Sequence, residues 1–335
     1  MSDPGRRPVE ESDARRLQTG SFGESTGCGG DTEGVTSVLE PLRARIQTTL
    51  SGQPAGDPPW VTALEAGTDP GYFGPGSAAW AVHGDVPTLV AGIRALLTQA
   101  LHPAAMAGVH DHSRYREDPF GRLAGTIRWI FTVTYGSRED AARASGWVQR
   151  LHEKVHGTYP GPDGEPVPYS ANDPDLLRWV HLAFTDAFLG THELWGRRIP
   201  GGPDAYVRDW AIAGKLMGVE DPPRSRAELQ EQLRSFQGVL RHDERVADVV
   251  RFVRRPPLAP ALRPLYPLLF NGAVLSLPDD FRELLGLSRP PAAVRPATGI
   301  VLRTTGRLLG TPPNAERMAI RRIQRLGGAT ASPGA

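Results

Sequence analysis

The string His152-Glu153-Lys154-Val155-His156 sets two imidazoles four residues apart with a carboxylate between them. On one helix that spacing can clamp zinc, with the glutamate as general base. Three features count against it here. Gly157 follows at once and reads as a helix C-cap, which leaves His156 on a fraying turn. The continuation HGTYPGP lacks the HxxGxxH of metzincins. No third ligand stands out downstream, where Glu165, His181 and Glu193 are the available side chains.

His152 can also act alone. Its neighbours at helical spacing, Val148, Leu151 and Val155, place it on an apolar face. The ordinary fate of such a histidine is a hydrogen bond to a backbone carbonyl in the core. A neutral imidazole with one free nitrogen can instead hold heme iron from one side, its other nitrogen meeting an acceptor. Arg122 and Thr126 lie one turn apart on a second helical stretch. The plain reading pairs Arg122 with Asp118 or Glu117 at the surface. The functional one sets its guanidinium against a carboxylate, with Thr126 beside a bound ligand. Gly125 costs that helix about 1 kcal/mol relative to alanine, so something flat or bulky, or a close helix crossing, is expected at its backbone. His181 shares an apolar face with Leu177, Phe184 and Phe188 and is either pocket-lining or a core histidine. His102, His110, Asp111 and His112 have the residue types of a non-heme iron site, but read more simply as polar groups at a helix end.

The elements that must carry these groups are helical. A helix is expected over 36–50 and another over 87–101, between Gly84-Asp85 and Pro103. Asp118-Pro119 opens a third, which runs to Tyr135. Ser137 with Asp140 caps a fourth, running to His156. A polar loop follows, and Asp173-Pro174 opens a fifth helix, to His192. Further helices are expected over 203–217 and 226–241, then short helices and turns over 256–290, where Pro256, Pro257, Pro260, Pro264, Pro267 and Pro278 interrupt an apolar stretch. The fold class is all-α, a multi-helix bundle. Residues 1–35 read as a disordered leader, 36–291 as the folded domain and 292–335 as a loosely held basic tail.

Bulk composition narrows the function by exclusion. With 38 Lys+Arg against 37 Asp+Glu the net charge is +1, so charge makes no case for nucleic acid. The single cysteine, Cys28, rules out an internal disulfide and a cysteine-based zinc site. No apolar run reaches the roughly 18 residues of a membrane span, and the first residues have no secretory apolar core. Cytoplasm is the expected location.

Four stretches in order, YFGPGSAAWAVHGD, LHPAAMAGVHDHSRYREDPFGRLAGT, RLHEKVHG and PYSANDPDLLRWVH, resemble the oxygenase family that includes the latex clearing protein and the fungal ER-bound oxygenase mpaB. The likeness is clear from Gly71 to Trp195 and looser to about Leu287. It implies that the all-α bundle is globin-like, a core holding heme b, with His152 as proximal iron ligand and Arg122 and Thr126 on the distal side. In the rubber-cleaving members that distal motif is RxxKT, and its lysine can occupy the sixth iron position. Gly125 stands at the lysine position here, so this chain is expected to lack that plug. The resemblance further implies a small apolar substrate, isoprenoid or lipid-like, and dioxygen, with Trp129, Phe184 and Phe188 as candidate lining. Two other readings stand beside it: a zinc hydrolase built on His152, Glu153 and His156, and a heme-binding protein without turnover.

Overall fold

The computed structural model describes residues 57–310 and 313–329. The expected leader and the helix expected over 36–50 lie outside the described residues. Fourteen helices and one two-stranded antiparallel sheet make up the described part, which bears out the all-α class. Among the described residues no helix is long and apolar enough to cross a membrane.

Two short helices come first, α1 (Pro59–Ala63) and α2 (Ala78–His83). Then α3 (Thr88–Ala100), α4 (Pro103–His112), α5 (Pro119–Tyr135) and α6 (Arg138–His152) lead into strands β1 (His156–Pro160) and β2 (Pro166–Ser170). The long α7 (Pro174–Trp195) follows, then α8 (Pro203–Leu216), α9 (Arg226–Ser235) and α10 (Glu244–Arg254). The chain ends in α11 (Tyr266–Ser276), α12 (Asp279–Leu284), α13 (Val294–Leu309) and α14 (Asn314–Ala329).

The centre is the pair α3 and α7, which pack along each other. Leu97, Leu101, Trp179 and Leu182 are fully buried there, each apolar side chain contributing about 1.5–3 kcal/mol through burial. The Trp179 indole donates to the Gln99 carbonyl at 3.3 Å. Starts follow the local signals: Ser77, Asp118, Ser137, Ser225 and Asp243 each accept from an amide two or three residues into their helices. Asp173 precedes α7 but turns its carboxylate back onto the Ser170 amide, at 2.8 Å.

Three expectations need correction. The polar stretch after residue 156 is a hairpin, with His156 opposite Ser170 and Pro160 opposite Pro166. Its prolines disguised it, yet a two-stranded sheet is all edge and tolerates them; Tyr169 is buried with Ala104, Ala107 and Leu176. The helix expected to reach 241 stops at Ser235. The described residues after 292 are not loosely held. Ala315, Met318, Ala319 and Arg322 form a buried stripe at helical spacing on α14, and α13 buries Thr298, Leu302 and Gly306. Arginine density hid both periodicities. The fully buried Arg322 donates to the carbonyls of Leu64, Pro70 and Tyr135, tying the last helix to the start of the fold.

Candidate functional site

Helices α5 and α6 form an antiparallel hairpin about Gly136 and Ser137. Both ends are locally fixed. Asp118 accepts from Gly121 N at 2.9 Å, and Ser137 accepts from Asp140 N at 3.1 Å while donating to the Asp140 carboxylate at 2.6 Å. Midway along, the Trp129 indole donates to Ser145 Oγ at 3.1 Å. Seven residues are about two helical turns and return to nearly the same face. One such step outward from Trp129 reaches Arg122, and one from Ser145 reaches His152. The repeat therefore carries Arg122 and His152 to one level of the hairpin, on the faces that Trp129 and Ser145 turn toward each other.

At that level the chemistry is specific. His152 occupies the last helical residue of α6 and is half-buried. Burial lowers its pKa, partly opposed by the Asn172 side chain, so the ring is neutral. Its Nδ1 is buried without a hydrogen-bond partner, whereas Nε2 is not among the buried unpartnered atoms and takes no protein partner among the described residues. Arg122 is also half-buried. Desolvation lowers its pKa, with Tyr115 pulling the other way. No carboxylate pairs with it among the described residues, and Asp118 is spent on the helix cap. A desolvated cation without a counter-ion is a ready anion acceptor. Thr126 Oγ1 donates to Arg122 O at 3.2 Å, so toward a ligand the hydroxyl can only accept. Gly125 is exposed, and a Cβ built on it meets nothing within 4 Å. The close helix crossing is thereby ruled out and open space lies beside it.

The HExxH string does not form a zinc clamp. The helix stops at His152, Glu153 and Lys154 are in a turn, and exposed His156 begins β1. The two imidazoles therefore do not share a helix face, because the hairpin takes over where a fifth turn was expected. Glu193 is engaged with Arg226 at 2.6 Å. Among the described residues no group of three or more His, Cys, Asp or Glu could hold a metal ion. Leu151, expected inward, is 42% exposed; the buried stripe of α6 is Ala141 and Ser145.

The other histidines sort differently. His110 pairs with Asp111 at 2.9 Å and His112 with the His156 carbonyl at 3.1 Å, both in the last turn of α4. His102 is buried among Trp179 and Phe236 and its pKa is pushed down to about 4 by burial. His181 is buried, with its pKa down to about 4 for the same reason and Nε2 lacking a partner. A Cβ on Gly214 would meet that ring at 3.0 Å. His181 thus lies against the end of α8, the same segment whose Leu216 carbonyl accepts from Gln149 Nε2 of α6 at 3.2 Å. Of the expected lining, Phe188 is committed to the core, Phe184 is half-buried and stacked on it, and Trp129 meets Trp210 edge-on.

Sequence reasoning missed two groups. His83 is buried in a cage of Phe188, Tyr206 and Trp210. Thr134 Oγ1 donates to Ile130 O at 2.7 Å and so accepts from His83 Nδ1 at 2.7 Å; Tyr206 OH then donates to Nε2 at 3.0 Å. Burial pushes its pKa down to about 3, so this is a neutral, fully satisfied core network. The second is Asn172, whose Nδ2 donates to the Gln149 carbonyl at 3.2 Å. The only sequence hint was its place between the helix start at Asp173 and the stretch before it.

Comparison with known proteins adds to this geometry. The model of the family described as "ER-bound oxygenase mpaB/B'/Rubber oxygenase, catalytic domain" matches residues 80–311. Over 207 residues the chain is 28% identical to an uncharacterized protein of Mycobacterium bovis, covering 59% of this chain and 79% of that protein. An uncharacterized protein of Mycobacterium tuberculosis matches to the same extent. No solved structure matches.

Proposed function

The chain belongs to the mpaB/rubber oxygenase catalytic-domain family, and on that premise we propose that it is a heme b-dependent oxygenase acting on a small apolar, unsaturated substrate. One observation carries the heme reading. The α5–α6 register brings a neutral imidazole with a free nitrogen level with a desolvated, unpaired guanidinium. Those are the two contacts that a porphyrin asks of a protein, one iron ligand and one propionate partner.

His152 would hold the iron through Nε2 and Arg122 would anchor a propionate. Bound heme supplies dioxygen binding and activation. Thr126 offers an acceptor lone pair on the distal side, since its proton goes to Arg122 O. With no side chain at Gly125 and nothing within 4 Å of a Cβ there, that position would leave room for dioxygen and substrate if heme were held by His152 and Arg122. His181, neutral and buried beside Gly214, contributes a non-ionic wall. Half-buried Trp129 and Phe184 favour an isoprenoid or lipid-like chain over a charged one. The reaction that fits is oxidative cleavage of a C=C bond. The double bond and the O–O bond break, two carbonyl groups form, and both oxygen atoms stay in the products, so no external reductant is consumed.

Titration of the purified protein with hemin tests this. A saturable Soret band at one equivalent, followed by dioxygen consumption with an olefinic substrate, is expected. Protein that remains colourless at excess hemin overturns the proposal.

A further inference from the structure

The loop between β2 and α7 is held more tightly than a connector requires. Ser170 N donates to the Asp173 carboxylate at 2.8 Å, and Asp173 N returns a bond to Ser170 O at 2.9 Å. Asn172 N donates to Ser170 Oγ at 3.3 Å. Ala171 N donates to the carbonyl of Val155, three residues past His152, at 2.8 Å. Val155 N in turn bonds to His152 O at 2.9 Å. The loop is thus laced both to itself and to the turn that ends α6.

Its product is the pose of one amide. Asn172 Nδ2 donates to the carbonyl of Gln149, one helical turn before His152 on the same face. A carbonyl can only accept, so the atom on that side must be the NH2 group, and the oxygen is left facing the other way. Asn172 Oδ1 is buried and has no hydrogen-bond partner; neither has His152 Nδ1. Burial lowers the imidazole pKa, and the amide is already near enough to raise it as a hydrogen-bonding neighbour, though the two atoms do not meet in full hydrogen-bond geometry. Two complementary buried atoms, each unsatisfied, are costly apart. A small rotation of the amide joins them.

We infer that Asn172 is the positioning residue of His152: its Oδ1 accepts a hydrogen bond from Nδ1–H, which selects the tautomer whose Nε2 is free to bind a metal and holds the ring in one orientation. This rests on the heme reading for its purpose, but the tautomer itself is a property of the protein without cofactor.

The test therefore begins on the cofactor-free protein, by long-range 15N–1H NMR of the His152 ring at a pH where it is neutral. Wild type should show the proton on Nδ1. Asn172→Leu should transfer population to the Nε2–H form and weaken hemin binding 10–100-fold. Asn172→Asp keeps an acceptor in place; it should restore the Nδ1–H form and, with heme bound, lower the iron reduction potential below that of wild type. A His152 ring protonated at Nε2 in wild type, or still protonated at Nδ1 in Asn172→Leu, overturns the assignment. Should Asn172→Leu fail to fold, the Asp variant decides alone: its charged acceptor should move the Nδ1–H proton downfield within the same tautomer, and a proton resonance at the wild-type position counts against the role. Failure of wild type to bind hemin would sink the heme proposal while the ring tautomer still decided the role of Asn172.

Discussion

Arg94 on α3 and Asp186 on α7 form a salt bridge with side chains only 4% and 7% exposed. The pair crosses the most extensive helix contact of the fold. Gln230 Nε2 donates to the other carboxylate oxygen of Asp186 at 3.1 Å, and Gly190 leaves room for the guanidinium, which occupies the space a Cβ there would need. Asp186→Ala should cost about 3–5 kcal/mol, because it strands a buried cation. Replacing both partners with apolar residues of similar size should cost much less. Urea unfolding of the single and double variants checks this; equal losses would mean the charges themselves are not what matters.

His152→Ala should abolish hemin retention without loss of helix signal. The side chain is half-buried and packs at a helix end rather than in the core, so the fold should survive its truncation. Far-UV circular dichroism and a hemin titration on the same sample provide the check. A variant with an unchanged Soret band would move the ligand to another residue.

Gly125→Lys separates the distal side from the proximal one. The helix should gain up to about 1 kcal/mol from losing a mid-helix glycine, since the new Cβ meets nothing within 4 Å. With heme bound, the amine should enter the sixth position and turn the ferric spectrum toward a six-coordinate low-spin form. A raised melting temperature with an unaltered spectrum would mean that position 125 does not face the iron.

Acid should weaken the fold before carboxylates titrate. Burial pushes His83 down to about 3 and His102 and His181 to about 4, against about 6.5 in an unfolded chain. Between those values the unfolded state binds protons that the folded state refuses, so stability rises with pH. The full contribution is present above pH about 6.5 and is lost as pH falls toward 4, with a slope of up to about 1.4 kcal/mol per pH unit for each fully buried ring. Urea midpoints between pH 5 and 7.5 should show this slope, and His181→Leu should flatten it. A level profile would contradict neutral burial of these rings.

What could be read from the residues alone was what is local. The cap at Asp118, the cap at Ser137 and the acid-proline start at Asp173 each lie within three residues of the amides or turns they govern, and all three helices begin where expected. Arg122, Thr126 and His152 sit on those helices, so their selection needed only helical spacing. Distant partnerships were out of reach. The atoms that satisfy His83 come from Thr134 and Tyr206, 51 and 123 residues away. Asn172 reaches α6 only because a proline-studded stretch folds as a hairpin. The end of α6 was misjudged since Gly157 fits a C-cap and a strand equally well, and tertiary pairing chose the strand.

Arg322 has a consequence for how the protein is made. The carbonyls it holds belong to Leu64, Pro70 and Tyr135, up to 258 residues earlier in the chain. During synthesis those acceptors leave the ribosome long before their donor is translated. The seam between the first helices and α5 stays unsealed until Arg322 is translated. An intermediate that lacks α14 therefore leaves the Leu64 and Tyr135 carbonyls without the guanidinium that pairs them in the finished fold.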